Sequence, residues 1–495
     1  MGLTRRELLE AAGASVAVAA VDHRGAFAQR PDGPNVLVIV VDTLRADHVG
    51  AYGGRARTPT IDALAREGLR FTRCHPEAMA TVPARRSILA GRRVFPFRGW
   101  RPQPERGLRN TPGWGPIEDV GATFTSALRR AGWWTAYVTD NPFLGFANAY
   151  ADFRRTFDRF VRVDGQFGTV RNPLPVARSE VAQWLAPELR EPSIERRVRD
   201  FLASGGRYWE DDSRSWAARV CRAGSAVIAE AAQRRPFALV VDTYEPHEPW
   251  TPPRAYVDLY GDPEYRGPDP CLSRYARVRD YLKPDRRKPV LDRMRDLYKA
   301  EVTMTDRWLA VLLDGLRSQG LERETIVMLV SDHGYLLGDH GWTGKNASVL
   351  QPALTHVPLI LVDPDRRRAG GSSAWFAQTH DIGPTLLDMT NVTPAKPMNG
   401  TSLAPLLAGR QPRTARPMAY GGYANWHYAR TERWAYVAAN TGLGRRLYDT
   451  KRDPEESRNI ARMHPNVIDE LEERVREQAG GRLPSYDERG RLRRR

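Results

Sequence analysis

The chain alternates short, wholly apolar runs with amphipathic stretches. In "PNVLVIVVDTLRADHVG" six consecutive apolar residues, Val36 to Val41, end at Asp42. A run this short with no polar alternation predicts a strand buried on both faces of a parallel sheet. "TPTIDALAREGLRF" changes period: Ile61, Leu64, Ala65 and Leu69 share one helical face, and Thr60 is placed to cap it. "TFTSALRRAGWWTAYVTD" repeats helix then strand, and "PFALVVDTYEPHEPW", "TIVMLVSDHG" and "VPLILVDP" predict further strands. Strands alternating with helices predict an α/β fold with a large, mostly parallel sheet flanked by helices. Such sheets bind ligands beyond the carboxyl ends of their strands. Asp42, His247, Asp332 and His333 all fall there.

Other stretches are less regular. Residues 150–235 are rich in Arg and Trp, and predict an insertion of loops and helices over the site. After about residue 395 the pattern becomes a helix, an antiparallel hairpin in "RTERWAYVAANTGLGRRLYDT", and a charged amphipathic helix in "VIDELEERVREQ". The expected organisation is a catalytic domain over 31–394, a small α+β subdomain with an antiparallel sheet over 395–480, and a disordered basic tail over 481–495. Residues 1–30 pair Arg5 and Arg6 with a short apolar run and an A-x-A-like site at Ala26–Ala28. That is a twin-arginine export pattern, and it predicts a periplasmic or secreted protein that leaves the cytoplasm folded. No stretch is long and apolar enough to predict a membrane anchor.

Charge narrows the partners. The net charge of +16 favours anionic ligands. The arginines are spread along the chain, and only the terminal "RGRLRRR" is a basic run, so no nucleic-acid partner is expected. Cys74, Cys221 and Cys271 are odd in number and far apart, which builds neither a disulfide framework nor a zinc spacing.

Two groups of residues carry chemistry. Asp42, Asp332 and His333 supply two carboxylates and an imidazole at strand ends, a donor set suited to one divalent cation. The imidazole makes manganese or zinc as credible as calcium. In "TVPARRSILAGR" Thr81 precedes a helix-forming run, and Arg85 lies one turn on. A hydroxyl, a guanidinium and a helix N-terminus together suit an anion.

In order along the chain, the motifs resemble the sulfatase family of the alkaline phosphatase superfamily. "NVLVIVVDTLRADHVGAYG" is similar to its first metal strand, and "TVPARRSILAGR" to its Cys/Ser-x-Pro-Ser-Arg signature. "EPHEPW" is similar to its Pro-His-x-Pro element, and "SDHGYLLGDHGWTGK" to its second metal loop and lysine. "HVPLILVDP", "THDIGPTLLD", "GTSLAPLL" and "LYDTKRDPEESRNIA" match later landmarks. The resemblance implies an alkaline-phosphatase/sulfatase-like sandwich that hydrolyses a small anionic ester. It implies metal ligands Asp42, Asp332, His333 and Thr81, with Thr81 also the nucleophile. Arg85 and Lys345 would hold the nucleophile and the anion. His247 would touch the transferred group or move a proton, and His340 and Asn141 would neighbour the substrate. Asn141 ends "TDN", where many members carry a Gly-Lys-Trp-His run, and Thr43 replaces a second aspartate.

The threonine alters the expected chemistry. In the family the signature cysteine or serine becomes formylglycine, and threonine cannot be oxidised to that aldehyde. No formylglycine is therefore expected, and Thr81 brings a single hydroxyl that must be activated. Water must then resolve the covalent intermediate, which favours a phosphate or phosphonate ester over a sulfate ester. Two other readings stand beside this one: a catalytically inactive anion-binding relative, and a polyanion-binding surface protein.

Overall fold

The computed structural model describes residues 32–165, 173–206 and 210–493. The expected export segment lies outside them. Among the described residues no helix is long and apolar enough to cross a membrane.

Eight strands form the main sheet: β1 (Asn35–Val41), β2 (Leu69–Phe71), β3 (Trp134–Thr139), β4 (Arg159–Arg162), β5 (Phe237–Thr243), β6 (Thr325–Ser331), β7 (Leu359–Val362) and β8 (Ser372–Ser373). Their order is β8-β2-β7-β6-β1-β5-β3-β4. β1 runs parallel to both neighbours, pairing Val40 with Asp242 on one side and with Val330 on the other. β7, expected as one more repeat of the parallel theme, is antiparallel to both β6 and β2, so the sheet is mixed.

Helices α1 (Pro59–Glu67), α2 (Thr81–Ala90), α3 (Phe124–Arg130), α4 (Trp216–Ala231), α5 (Pro284–Ser318) and α6 (Ile382–Met389) flank the sheet. Strand alternation splits the interior in two. Leu37, Ile39 and Val41 pack with Trp216, Ile228 and Leu312 against α4 and α5. Val36, Val38 and Val40 pack with Ile88, Phe124 and Leu386 against α2, α3 and α6. Each such side chain contributes roughly 1.5–3 kcal/mol by leaving water, before conformational entropy is charged.

Four details depart from the sequence reading. Helix α1 begins at Pro59, and Thr60 does not cap it; Asp306 of α5 accepts from the Thr60 and Ile61 amides at 3.0 and 2.8 Å. Leu69 opens β2 instead of closing the helix. The 150–235 segment is not a simple insertion, because β4 and α4 belong to the sandwich itself. The C-terminal tail is not disordered over 481–493: Leu483 and Tyr486 are buried, and the Tyr486 hydroxyl donates to the Phe97 carbonyl at 2.6 Å. Both sit in a separate core with a second sheet, β9 (Ala419–Tyr423), β10 (Trp426–Arg430), β11 (Trp434–Ala439) and β12 (Arg446–Asp449). Those four strands are antiparallel. The sheet gains a fifth strand from Ala78–Met79, parallel to β9, with Tyr423 opposite Met79. The catalytic and C-terminal regions thus share a sheet just before Thr81.

Candidate active site

Strand parity builds the site. Asp42 follows β1 in step with Val38 and Val40. Asp242 of β5 is in step with Ala238 and Val240. Asp332 follows β6 in step with Met328 and Val330. All three carboxylates therefore emerge on the face that α2 covers, and all three are fully buried.

Arg85, one turn into α2, meets them. Its Nε and Nη2 donate to the two oxygens of Asp242 at 2.9 and 2.6 Å. Its Nη1 donates to Asp332 Oδ2 at 2.6 Å and to the Thr81 carbonyl at 3.2 Å. Nη1 also lies 3.0 Å from Asp42 Oδ2. Burial alone would lower the Arg85 pKa, but the three carboxylates outweigh it and push it well up. Its donors are thus largely committed within the protein. Asp242 also accepts from the Tyr137 hydroxyl at 2.8 Å. Thr81 is the first residue of α2, not the residue ahead of it, and is buried.

The two remaining carboxylates share a tight, coupled environment. Burial and the nearby Asp332 raise Asp42 well above the ordinary carboxylate range. Burial acts the same way on Asp332, but His333 and Arg85 outweigh it and hold that residue down. Burial brings His333 to about 4. Thr43 spans the pair: its hydroxyl donates to Asp42 Oδ1 at 2.5 Å and its amide to Asp332 Oδ1 at 2.9 Å. Its φ of 61° is an outlier for a β-branched residue. Such strain costs about 1–3 kcal/mol and persists only where contacts over-determine it. Here the Tyr298 hydroxyl adds a third, to the Thr43 carbonyl at 2.7 Å.

Asp42, Asp332 and His333 fit a metal. One donor atom from each lies within 4.8 Å of the others. Asp42 Oδ2 and His333 Nε2 are buried and form no hydrogen bond. Three carboxylates also face one guanidinium, so a divalent cation would offset charge that the protein leaves uncompensated. The mixed oxygen–nitrogen set suits manganese or zinc at least as well as calcium.

A second cluster gathers around His247. Its Nδ1 donates to the Glu248 carbonyl at 2.7 Å, so its Nε2 accepts from Lys345 Nζ at 2.7 Å, and the Tyr244 hydroxyl lies 3.0 Å from the same nitrogen. The Tyr244 ring stacks on the imidazole at 4.1 Å between centroids. Burial drives His247 well below its ordinary pKa, and Lys345 reinforces this. Glu248 is buried 3.3 Å from Lys345, and the Tyr275 hydroxyl donates to it. Burial would raise Glu248, but His247, Lys345 and Arg197 hold it low. The charge of Lys345 acts on both Asp42 and His333, which links the two clusters.

Two expected residues stand apart. His340 is exposed on the loop before Lys345, where Gln351 bonds it at 3.1 Å; none of the bonds described for either cluster involves it. Asn141 is buried beyond β3, and its Oδ1 accepts from the Phe143 and Leu144 amides at 2.9 and 3.1 Å, which makes it a turn residue there. Its Nδ2 forms no hydrogen bond. Asp242, Glu248, Tyr137, Tyr244 and Tyr275 were not anticipated. Asp242 ends a buried run just as Asp42 does, and that signal could have identified it. The tyrosines carried none.

The sulfatase family model matches residues 34–392, and the N-sulphoglucosamine sulphohydrolase C-terminal model matches residues 338–480. An arylsulfatase of Clostridium perfringens is 24% identical over 93% of this chain and 97% of its own. A multifunctional alkaline phosphatase superfamily protein of Trinickia caryophylli is 26% identical over 76% of this chain and 78% of its own. Among solved structures, the phosphonate monoester hydrolase of Agrobacterium radiobacter shares the fold at TM-score 0.67 and 22% identity, over 93% of this chain and 100% of that one. The chain belongs to the sulfatase family, and its class is that of sulfuric or phosphoric ester hydrolases. Members of the family are metal-dependent.

Proposed function

We propose that this protein is a metal-dependent hydrolase of a small anionic ester, with Thr81 as the nucleophile and a phosphate or phosphonate ester as the preferred substrate. The observation that carries this reading is the convergence of Asp42, Asp332, His333 and Arg85 at the start of α2, where Thr81 stands. One divalent cation held by Asp42, Asp332 and His333, with the Thr81 hydroxyl, would lower the pKa of that hydroxyl and neutralise the ester anion.

The chain's own residues supply the remaining functions. Arg85 is a positioning residue: it ties the Thr81 carbonyl to Asp332 and Asp242, which fixes the first turn of α2. The Thr81 hydroxyl loses its proton to solvent, and its oxygen bonds to phosphorus as the bond to the leaving alcohol breaks. The departing alkoxide takes a proton from Lys345. His247 does not give that proton, because burial keeps it neutral and its Nε2 lone pair accepts from Lys345; it aims the ammonium instead. Water then attacks phosphorus, the bond to the Thr81 oxygen breaks, and the hydroxyl is restored. Solvent returns the proton to Lys345. A formylglycine hydrate has a second hydroxyl with which to expel the bound anion; Thr81 has only one, so attack by water at phosphorus is the step it suits best. Similarity to a phosphonate monoester hydrolase supports that preference, and the arylsulfatase relative keeps sulfate esters in the same panel.

The test is a rate panel with aryl phosphate, phosphodiester, phosphonate and sulfate on metal-supplemented protein, beside Thr81→Ala. Phosphorus-ester turnover that disappears in the variant is expected. Sulfate turnover faster than all phosphorus esters would overturn the substrate order. Turnover that survives Thr81→Ala would remove Thr81 as the nucleophile.

A further inference from the structure

Beside the two clusters stands a cation with no assigned task. Arg109 is exposed, and among the described residues its guanidinium forms no ion pair or hydrogen bond. It is nonetheless held in place. Its guanidinium lies 5.5 Å from the Trp114 ring centroid and 5.7 Å from that of Phe143. Those two rings pack edge to face at 4.7 Å. Phe143 belongs to the turn that Asn141 organises beyond the carboxyl end of β3, and β3 pairs with β5, so the platform sits at the same edge of the sheet as Asp242.

Three tyrosines around the reaction centre feel the charge of this cation. Tyr244 stacks on His247, Tyr275 bonds Glu248 and Lys345, and Tyr423 pairs with Met79 two residues before Thr81. Burial raises the pKa of all three hydroxyls, and the Arg109 charge opposes that rise at each. The charge of this one exposed guanidinium thus reaches tyrosines of the His247 cluster and of the strand paired ahead of Thr81. Most exposed arginines are free to wander, and ordering them costs rotamer entropy. Stacking on two aromatic rings lowers that cost, and the planar fork stays open for a carboxylate, phosphate or sulfate.

We propose that Arg109 forms a second anion subsite, and that the natural substrate carries another negative group beside the ester that is cleaved. This deepens the hydrolase reading and rests on it. The Trp114–Phe143 platform presents the guanidinium, and the second anion of the substrate makes a charge-assisted contact with it. Such contacts change affinity by roughly tenfold or more when one partner is removed.

The experiment compares phenyl phosphate with 3- and 4-carboxyphenyl phosphate, using wild type, Arg109→Ala and Arg109→Lys. The readout is the ratio of kcat/KM between carboxylated and parent ester. A wild-type preference for at least one carboxylated ester is expected. That preference should collapse about tenfold in Arg109→Ala, mainly through KM, and return in part in Arg109→Lys. A ratio unchanged by Arg109→Ala, or no preference in wild type for either isomer, overturns the subsite. Calorimetric binding of the same three compounds to Thr81→Ala protein, with and without Arg109→Ala, separates this result from the hydrolase reading. If wild type turns over no ester, the hydrolase reading fails, and the binding ratio alone decides the subsite. If esters are hydrolysed and neither ratio responds to Arg109, the subsite fails and the hydrolase reading stands.

Discussion

Asp242→Asn is the most informative single change, because Asp242 touches neither the proposed metal ligands nor the Thr81 hydroxyl directly. The substitution keeps the side-chain volume and removes one charge from a fully buried pair. Two opposite charges about 4 Å apart at an effective dielectric near 20 attract by about 4 kcal/mol. Some of that is recovered, because one fewer carboxylate must be desolvated and Asp42 and Asp332 still face Arg85. Removing one partner of a buried pair generally costs about 3–5 kcal/mol, and the remaining carboxylates place this case near 3 kcal/mol. A functional loss should accompany it. Arg85 would keep at most one of the two bonds that anchor its far side and would meet an NH2 donor in place of the other, so the first turn of α2 would loosen at Thr81. Displacements near 1 Å at a nucleophile cost about 100-fold in rate. Urea unfolding followed by tryptophan fluorescence measures the first effect, and kcat/KM on the best ester from the panel measures the second. Tyr137→Phe should cost less, about 1–2 kcal/mol, and should couple to Asp242→Asn by more than about 0.5 kcal/mol. A stability loss below about 1 kcal/mol with kcat/KM within about twofold of wild type would refute the argument that Asp242 anchors the site.

Three further outcomes follow from the same geometry. Lys345→Gln should lower kcat by roughly 10²–10⁴ on phenyl phosphate and much less on an activated nitrophenyl ester; equal losses on both would show that Lys345 does not protonate the leaving group. Removing metal with a chelator should lower thermal stability, and returning manganese to about 100 times its Kd should restore roughly 2.7 kcal/mol; Asp332→Asn should abolish that response in a melting experiment. Burial raises Glu77 from the ordinary glutamate value to about 7, even though the Val94 and Phe95 amides donate to its two oxygens at 2.9 and 3.2 Å. The folded chain therefore holds that proton more tightly than the unfolded one. The associated stability is full below about pH 4.5 and falls away by about pH 7, a total near 3 kcal/mol. Glu77→Gln should flatten that decline in urea midpoints across the same window, and an identical pH slope in the variant would contradict it.

The sequence by itself determined the strands and much of the chemistry. A short unbroken apolar run rich in β-branched residues, such as Val36–Val41, reads as a strand covered on both faces, and the residue that ends it then stands at the sheet edge. Asp42, Asp332 and His333 were legible for that reason, as was the helical step from Thr81 to Arg85. Asp242 is legible by the same rule, since it too ends a buried apolar run. Tertiary structure decided what a local pattern cannot carry. Whether β7 runs parallel or antiparallel depends on where its chain re-enters the sheet, not on its own apolar content. The role of Arg85 depends on three carboxylates from three strands meeting one guanidinium, at separations of tens to hundreds of residues. The tautomer of His247 depends on a backbone carbonyl at Glu248 and an ammonium 98 residues away. In sequence Arg109 is one arginine among dozens; only the fold seats it beside the Trp114 and Phe143 rings. Periodicity records which face a residue takes; only the packed fold records what waits on that face.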